Sequence, residues 1–325
     1  MTPKQNALEI IHFGKPERIV SNPPAYEVNY FGVNHEPFEG VGGHDSPLGT
    51  KWFDVWGVGW HKELEGVMGY AQIHPLADLT KMDKYKWPDP DDERLCGRIY
   101  ERAKTIDREK FICGSHRETL WERCYNLVGM DKLMMAFYDS PDVVRELLHH
   151  VMAFQLGMAK HYAKAGIEIA GLGDDLGSQR GPLFSPDMLK EFFVPEYKRL
   201  TSFYKEKGVI ITFHSCGNVE PVLDMYMGIG VSVLNPVQAT ANDLDAVRRK
   251  TQGKMALQGA VSTHRIMLGP IDEIVKETRT RLWQLGRKGG YFCAPDQGMP
   301  FPEAHINAFY KAVEEHGVYP IKKPT

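Results

Sequence analysis

The stretch Val209-Ile210-Ile211-Thr212-Phe213-His214-Ser215-Cys216-Gly217-Asn218 decides how the rest of the chain is read. A short β-rich run ends abruptly in polar residues and glycine, as a buried strand does where it emerges from a sheet. Extended geometry sends alternate side chains to opposite faces. Val209, Ile211 and Phe213 are expected to face a layer of helices. Ile210, Thr212, His214 and Cys216 are expected to face the other way, which places an imidazole and a thiol side by side.

The same unit recurs on either side. Strands are predicted at Lys110–Ser115, Glu168–Gly173, Val231–Asn235, Met255–Gly259 and Gly290–Ala294. Between them lie helical patterns: Pro141–Lys164, with Val144, Leu147, Leu148, Val151 and Met152 on one side, a helix opened by Ser185-Pro186, then Asp243–Lys250 and Ile271–Leu285. Pro302–His316 follows the last strand. Short strands alternating with helices predict a parallel sheet with helical crossovers. Two further strands near Ile19 and Val67 would complete a single (β/α)8 TIM barrel, taken as one domain over residues 1–325. Residues 1–94, rich in Gly, Pro and aromatics, are expected to be an irregular N-terminal extension contributing to the barrel mouth. No Gly-x-Gly-x-x-Gly turn follows a first strand, which argues against a dinucleotide-binding sheet.

Composition narrows the function classes. The 325 residues are 42% hydrophobic and 25% charged, with a net charge of −3. No basic block marks a nucleic-acid surface and no apolar run is long enough to span a membrane. The first residues lack the basic-then-apolar order of a secretory leader. Five scattered cysteines do not form a disulfide framework. A cytoplasmic chain with reduced thiols is the expectation.

Active groups of an α/β barrel lie at the C-terminal ends of its strands. Here those ends are polar: His116-Arg117-Glu118, Asp174-Asp175, His214-Ser215-Cys216, Asn235-Pro236-Val237-Gln238, Gln258-Gly259 and Asp296-Gln297. His214 and Cys216 form half of a zinc site, since Zn²⁺ takes imidazole nitrogen and thiolate. Cys293 is the obvious third ligand. The bland alternative is a hydrogen-bonded histidine beside inert buried cysteines. Of the adjacent Asp174 and Asp175, one is expected to face the pocket and the other to cap or pair with Arg180. Catalytic work is assigned to His214, Asp174 and Asp175. Substrate contacts are assigned to Trp56, His116, Glu118, Gln179, Asn235, Gln238 and Gln297. Trp52, Trp56 and Trp60 are more often core residues than pocket walls.

Taken together, Gly173-Asp174-Asp175-Leu176-Gly177-Ser178-Gln179, Ser185-Pro186, His214-Ser215-Cys216-Gly217-Asn218, Asn235-Pro236-Val237-Gln238, Gln258-Gly259 and Ala294-Pro295-Asp296-Gln297-Gly298 resemble the uroporphyrinogen-decarboxylase-like superfamily over roughly residues 110–316. The superfamily divides into decarboxylases and cobamide-dependent methyltransferases. The decarboxylases carry an arginine-rich N-terminal segment of the type Met-Arg-Gln-Ala-Gly-Arg-Tyr that grips tetrapyrrole carboxylates. This chain has no such segment, and Lys15, Arg18, Lys51 and Lys62 are dispersed. The methyltransferase branch, with its His-x-Cys pair and a later cysteine on zinc, looks closer. In that alignment the later cysteine is replaced by Gln297.

The resemblance therefore implies methyl transfer from a small donor, with an aryl methyl ether favoured, to cob(I)alamin on a partner corrinoid protein. Zinc is a second implied cofactor, and a homodimer is an open expectation. Transfer from a methyl-corrinoid to a thiol of the coenzyme M type, and decarboxylation of a porphyrin-like polyacid, are the alternatives.

Overall fold

The computed structural model describes residues 1–324. Ten strands are present: β1 (Ala25–Glu27), β2 (Lys51–Phe53), β3 (Gly59–His61), β4 (Tyr70–Ile73), β5 (Phe111–His116), β6 (Ile169–Gly173), β7 (Ile210–His214), β8 (Val233–Val237), β9 (Ala256–Val261) and β10 (Tyr291–Pro295). Seven of them form one curled parallel sheet in the order β1-β5-β6-β7-β8-β9-β10. Neighbours in the sheet follow chain order because each crossover carries a helix, which returns the chain to the same edge. The helix Pro141–Lys164 joins β5 to β6, Val194–Glu206 joins β6 to β7, and Ile271–Arg281 precedes β10.

Local sequence explains these helices. Pro141 supplies a fixed φ at the first helical position, where its missing N–H costs nothing. Val144, Leu147, Leu148, Val151 and Met152 are then fully buried against the sheet. At the opposite end of the sheet, Thr2 and Gln5 form a reciprocal capping box on the helix Pro3–Ile11. Its Ala7, Ile10 and Ile11 pack on Phe111, Ile169, Val233, Ala256 and Phe292. Those five residues lie at or next to the N-terminal ends of their strands. One end of the curled sheet is thus plugged by apolar side chains, and the C-terminal strand ends are left for chemistry.

The expected eighth barrel strand near Val67 is not found, and the parallel sheet has seven strands rather than a closed eight. The strand anticipated near Ile19 forms further along, as β1. Between β10 and β1 the chain makes a backbone bond from Cys293 N–H to the Val20 carbonyl, at 3.0 Å. Nor is the N-terminal third irregular throughout. Residues around Val67 belong to a separate antiparallel sheet, β2-β3-β4. Its cross-strand pair Trp52–Trp60 stacks at 6.4 Å, the pairing by which aromatic residues stabilise a two-strand ribbon. The turn from β2 to β3 uses Asp54, whose Oδ1 accepts the Trp56 and Val58 N–H groups, and Gly57, whose φ of +73° suits glycine. No helix among the described residues is long and apolar enough to cross a membrane.

A buried charge network ties this small sheet to the segment after β5. Arg123 Nη1 lies 3.0 Å from Asp54 Oδ2, and Arg123 Nη2 lies 2.9 Å from Glu118 Oε2. His35 Nε2 lies 2.8 Å from Glu118 Oε1. Trp60 Nε1–H donates to Asp54 Oδ2 at 3.0 Å. Burial pushes the Glu118 carboxyl up, but His35 and Arg123 together outweigh it and bring it to about 2.

Removing the cation from such a network strands two buried carboxylates. Arg123→Met is therefore expected to cost roughly 3–5 kcal/mol, read from denaturant unfolding; a loss below about 1 kcal/mol would contradict the network's role. The acid limb carries a second signature. The folded pKa of Glu118 is depressed, so its stabilisation is complete above its ordinary value of 4.5 and is lost as pH falls toward about 2. Glu118→Gln should flatten the fall of stability across that window, and an unchanged pH slope would contradict the assignment.

Candidate active site

The C-terminal ends of the parallel strands open on a cavity of about 1060 Å³. Glu118, Glu122, Asp175, His214, Cys216 and Gln297 line its polar side, and Trp60, Met68 and Tyr70 of the antiparallel sheet region form a wall. A smaller cavity of about 530 Å³ shares Asn22, His214, Asn235, Gln258 and Gln297 with it. The two lobes meet at His214.

Strand β7 places that histidine as its alternation predicts. Ile211 and Phe213 are buried among the helices, while Thr212, His214 and Cys216 line the large cavity. The imidazole is then oriented by a chain of amides. Gln258 Nε2 donates to the Ser21 carbonyl at 3.1 Å and to Asn22 Oδ1 at 2.6 Å. A backbone carbonyl only accepts, so the Gln258 amide has one orientation and its Oε1 faces Asn235. Asn235 Nδ2 donates to that oxygen at 2.8 Å. Asn235 Oδ1 is left facing His214 Nδ1 at 2.8 Å, and Nδ1 must carry the proton to bond there. In the neutral ring the lone pair is therefore on Nε2, which points toward Cys216 and Asp175.

The two aspartates divide their work. Asp174 is fully buried and accepts from Leu120 N–H, Glu122 N–H and the Tyr197 hydroxyl, at 2.8, 2.8 and 2.6 Å. Burial pushes its carboxyl up and these donors pull it back. It fixes the start of the helix Trp121–Val128 and does not line the cavity. Asp175 faces the cavity. Its Oδ1 accepts the Cys216 N–H at 2.8 Å and lies 3.7 Å from His214 Nε2.

Cys216 Sγ stands 3.4 Å from His214 Nε2 and receives the Gln297 amide at 2.6 Å. Burial first, then Asp175, push the thiol's pKa well up, so a metal or another cation is needed to hold it as thiolate near neutrality. The loop is pressed against its neighbour. Gly217 has φ +85°, and a Cβ there would come within 2.5 Å of the Gly177 backbone. Asp175, His214 and Cys216 offer one carboxylate oxygen, one nitrogen and one sulfur, all within 4.8 Å of each other. This donor set, with one side open to the cavity, fits Zn²⁺ bound by three protein ligands.

Several expected residues are not brought to this cluster. Cys293 is fully buried in the core on the helix side of β10, and Asp175 takes the place anticipated for it. His116 is buried, bonded through Nδ1 to Gln155 and through Nε2 to Tyr204; burial lowers its pKa to about 4. Trp56 packs edge-on against Phe154 at 4.6 Å, and Trp60 is the indole that reaches the cavity. Gln179 donates to Gln238, whose Oε1 accepts the Gly217 N–H; both shape the loop without lining either lobe. Glu118, Asn235 and Gln297 do line the large cavity. Sequence reasoning missed Glu122, Tyr125 and Asn22 as cavity residues. The only signal for Glu122 was an acidic residue in the first turn of a helix that begins just past a strand end.

A sequence profile described as Uroporphyrinogen decarboxylase (URO-D) matches residues 65–316, more than three-quarters of the chain. No curated protein matches the chain. Among solved structures, a methyltransferase from Methanosarcina mazei superposes with a TM-score of 0.72 at 15% identity, covering 97% of this chain and 99% of that one. A B12-independent methionine synthase from Shewanella sp. W3-18-1, in complex with selenomethionine, gives 0.43 at 12% identity, over 70% of this chain and 65% of that one. A sugar phosphate isomerase/epimerase from Parabacteroides distasonis gives 0.36 at 12% identity, over 74% and 84%.

The amide chain makes a prediction that needs no substrate. In ¹⁵N-histidine NMR spectra at neutral pH, His214 should be protonated on Nδ1 and bare on Nε2. Asn235→Ala should abolish that preference. A parent protein with the proton on Nε2 would contradict the derivation.

Proposed function

This chain belongs to the uroporphyrinogen decarboxylase family, and from that premise we propose that it is a corrinoid-dependent methyltransferase acting on a small methyl donor, with an aryl methyl ether favoured. The observation that carries this reading is the make-up of the large cavity. Glu27, Glu118, Glu122 and Asp175 line it, and Arg117 is its only arginine. A polycarboxylate tetrapyrrole requires clustered arginines, and this cavity offers one arginine among four acidic side chains. Arg180 does not line the cavity. The full-length fold likeness to a methyltransferase supports the same branch.

When bound, a reduced corrinoid on a partner protein supplies the nucleophile, and a zinc ion on Asp175, His214 and Cys216 supplies a Lewis acid. The chain's own residues do the rest. Asn235 and Gln258 hold the His214 lone pair toward the cavity, as outer hydrogen bonds orient metal-binding histidines. Gln297 donates to Cys216 and steadies negative charge on its sulfur. Trp60, Met68 and Tyr125 give the donor an apolar, aromatic wall. Such a wall displaces water, which a strongly reducing nucleophile does not survive beside an open proton source.

Under anaerobic conditions, the chain with a reduced corrinoid protein and a panel of methoxyarenes is expected to yield methyl-corrinoid and the free phenol. Failure with every methyl donor in a broad panel would sink the proposal, and conversion of uroporphyrinogen to coproporphyrinogen would replace it. Cys216→Ser is expected to remove bound zinc and activity together. His214→Ala should lower turnover by roughly 10²-fold or more. A His214→Ala variant with parental turnover would show that the chemistry lies elsewhere.

A further inference from the structure

Resting on the ether reading above, the departing oxygen needs electrophilic assistance, and a proton donor in the cavity would supply it beside any Lewis acid. A phenolate is a poor leaving group, so the oxygen that loses the methyl must gain a proton or an equivalent. His214 does not supply it, because its Nδ1–H is committed to Asn235 and its Nε2 is the bare nitrogen. Asp175 accepts the Cys216 N–H and Glu118 is paired with Arg123 and His35. Glu27 is exposed and takes the Asn29 side-chain amide, which leaves Glu122 as the half-buried cavity carboxyl with no cation beside it.

We infer that Glu122 is the general acid of this site, donating a proton from Oε2 to the oxygen from which the methyl group departs. Glu122 is the second residue of the helix Trp121–Val128, and its side chain lines the large cavity. The Tyr125 hydroxyl, one turn beyond, donates to Oε1 at 3.2 Å. Oε1 is taken up by this bond, so a proton carried by the group sits on Oε2. Among the described residues no side chain takes up Oε2, and it is free to meet a ligand.

The surroundings keep that proton in place. Glu118 and Arg117 face the cavity from the segment after β5, Asp175 from after β6, and His214 and Cys216 from β7 and beyond; Asp174 sits behind the helix start. Burial raises the Glu122 carboxyl well above the usual carboxylate range; in the metal-free chain Glu118, Asp174 and Asp175 raise it further, against the smaller pull of the Tyr125 hydroxyl. Arg117 is the one fixed cation in the cavity, and its side chain leans to Asn34.

The step balances. The nucleophile's electron pair forms a bond to the methyl carbon, and the carbon–oxygen bond breaks with its pair going to oxygen. The Oε2 proton moves to that oxygen, leaving a phenol and the Glu122 carboxylate. The carboxylate recovers a proton from water after the product leaves.

The test has two arms on the full zinc-loaded chain. Infrared difference spectra recorded across a pH titration should show a protonated carboxyl band persisting at neutral pH in the parent and missing in Glu122→Gln. If both proteins give the same band, or neither does, Glu122 does not hold the proton and the assignment falls. The second arm compares methoxyarenes whose phenols differ in acidity. Glu122→Gln should lose roughly 10²-fold or more on ethers of weakly acidic phenols and progressively less as the phenol becomes more acidic. A loss uniform across the series, or none, overturns the role of Glu122 while leaving the ether reading intact. A parent chain that demethylates no ether in the series sinks that reading, and this assignment with it. Unchanged unfolding midpoints for Glu122→Gln would show that the comparison is between folded proteins.

Discussion

The chemistry of this cavity depends on a hydrogen bond that lies outside it, from Gln258 Nε2 to the backbone carbonyl of Ser21. That carbonyl cannot donate, so every amide above it has a fixed direction. The polarity runs from Ser21 through Gln258 and Asn235 to His214 and ends with a bare nitrogen beside a thiol and a carboxylate. Without the anchor, each amide could turn over and the imidazole could present either a donor or an acceptor. The anchor exists because the chain between Val20 and Asn22 runs past β10 and β9, on the way to the edge strand β1. An N-terminal segment far in sequence from the site thus sets the protonation of its central residue.

That dependence also explains what the sequence did and did not disclose. Strands β5 to β10 were legible because β-rich runs with polar ends alternate with helices capped by Pro and Ser. The alternation in 209–216 correctly sent His214 and Cys216 to one face. Parity was harder to judge elsewhere. On β5, Gly114 packs against Tyr162 of the helix layer, so His116, two residues on, points the same way and meets Gln155 and Tyr204. On a strand that stayed extended, Cys293 and Gln297 would share a face. Strand β10 stops at Pro295, and Thr263 then holds the Gln297 backbone at 2.9 Å. The turn carries Gln297 over the cavity while Cys293 stays in the core. The β2-β3-β4 sheet escaped notice because its strands are only three or four residues long and its pattern is set by tryptophan stacking.

Charge divides the cavity into two kinds of carboxylate. Glu118 is neutralised by Arg123 and His35, and through them it clamps the antiparallel sheet over the strand ends. Asp175 and Glu122 have no such partner and remain available to a metal and a substrate.

We propose that Asp175, His214 and Cys216 bind metal as one unit and that Cys293 takes no part. Zinc-edge X-ray absorption on the zinc-loaded chain tests this most directly. The account predicts a single sulfur at about 2.3 Å, with an imidazole nitrogen and oxygen ligands near 2.0–2.2 Å. A spectrum with no sulfur would dissolve the unit, and one with two sulfurs would contradict a unit built on Cys216 alone.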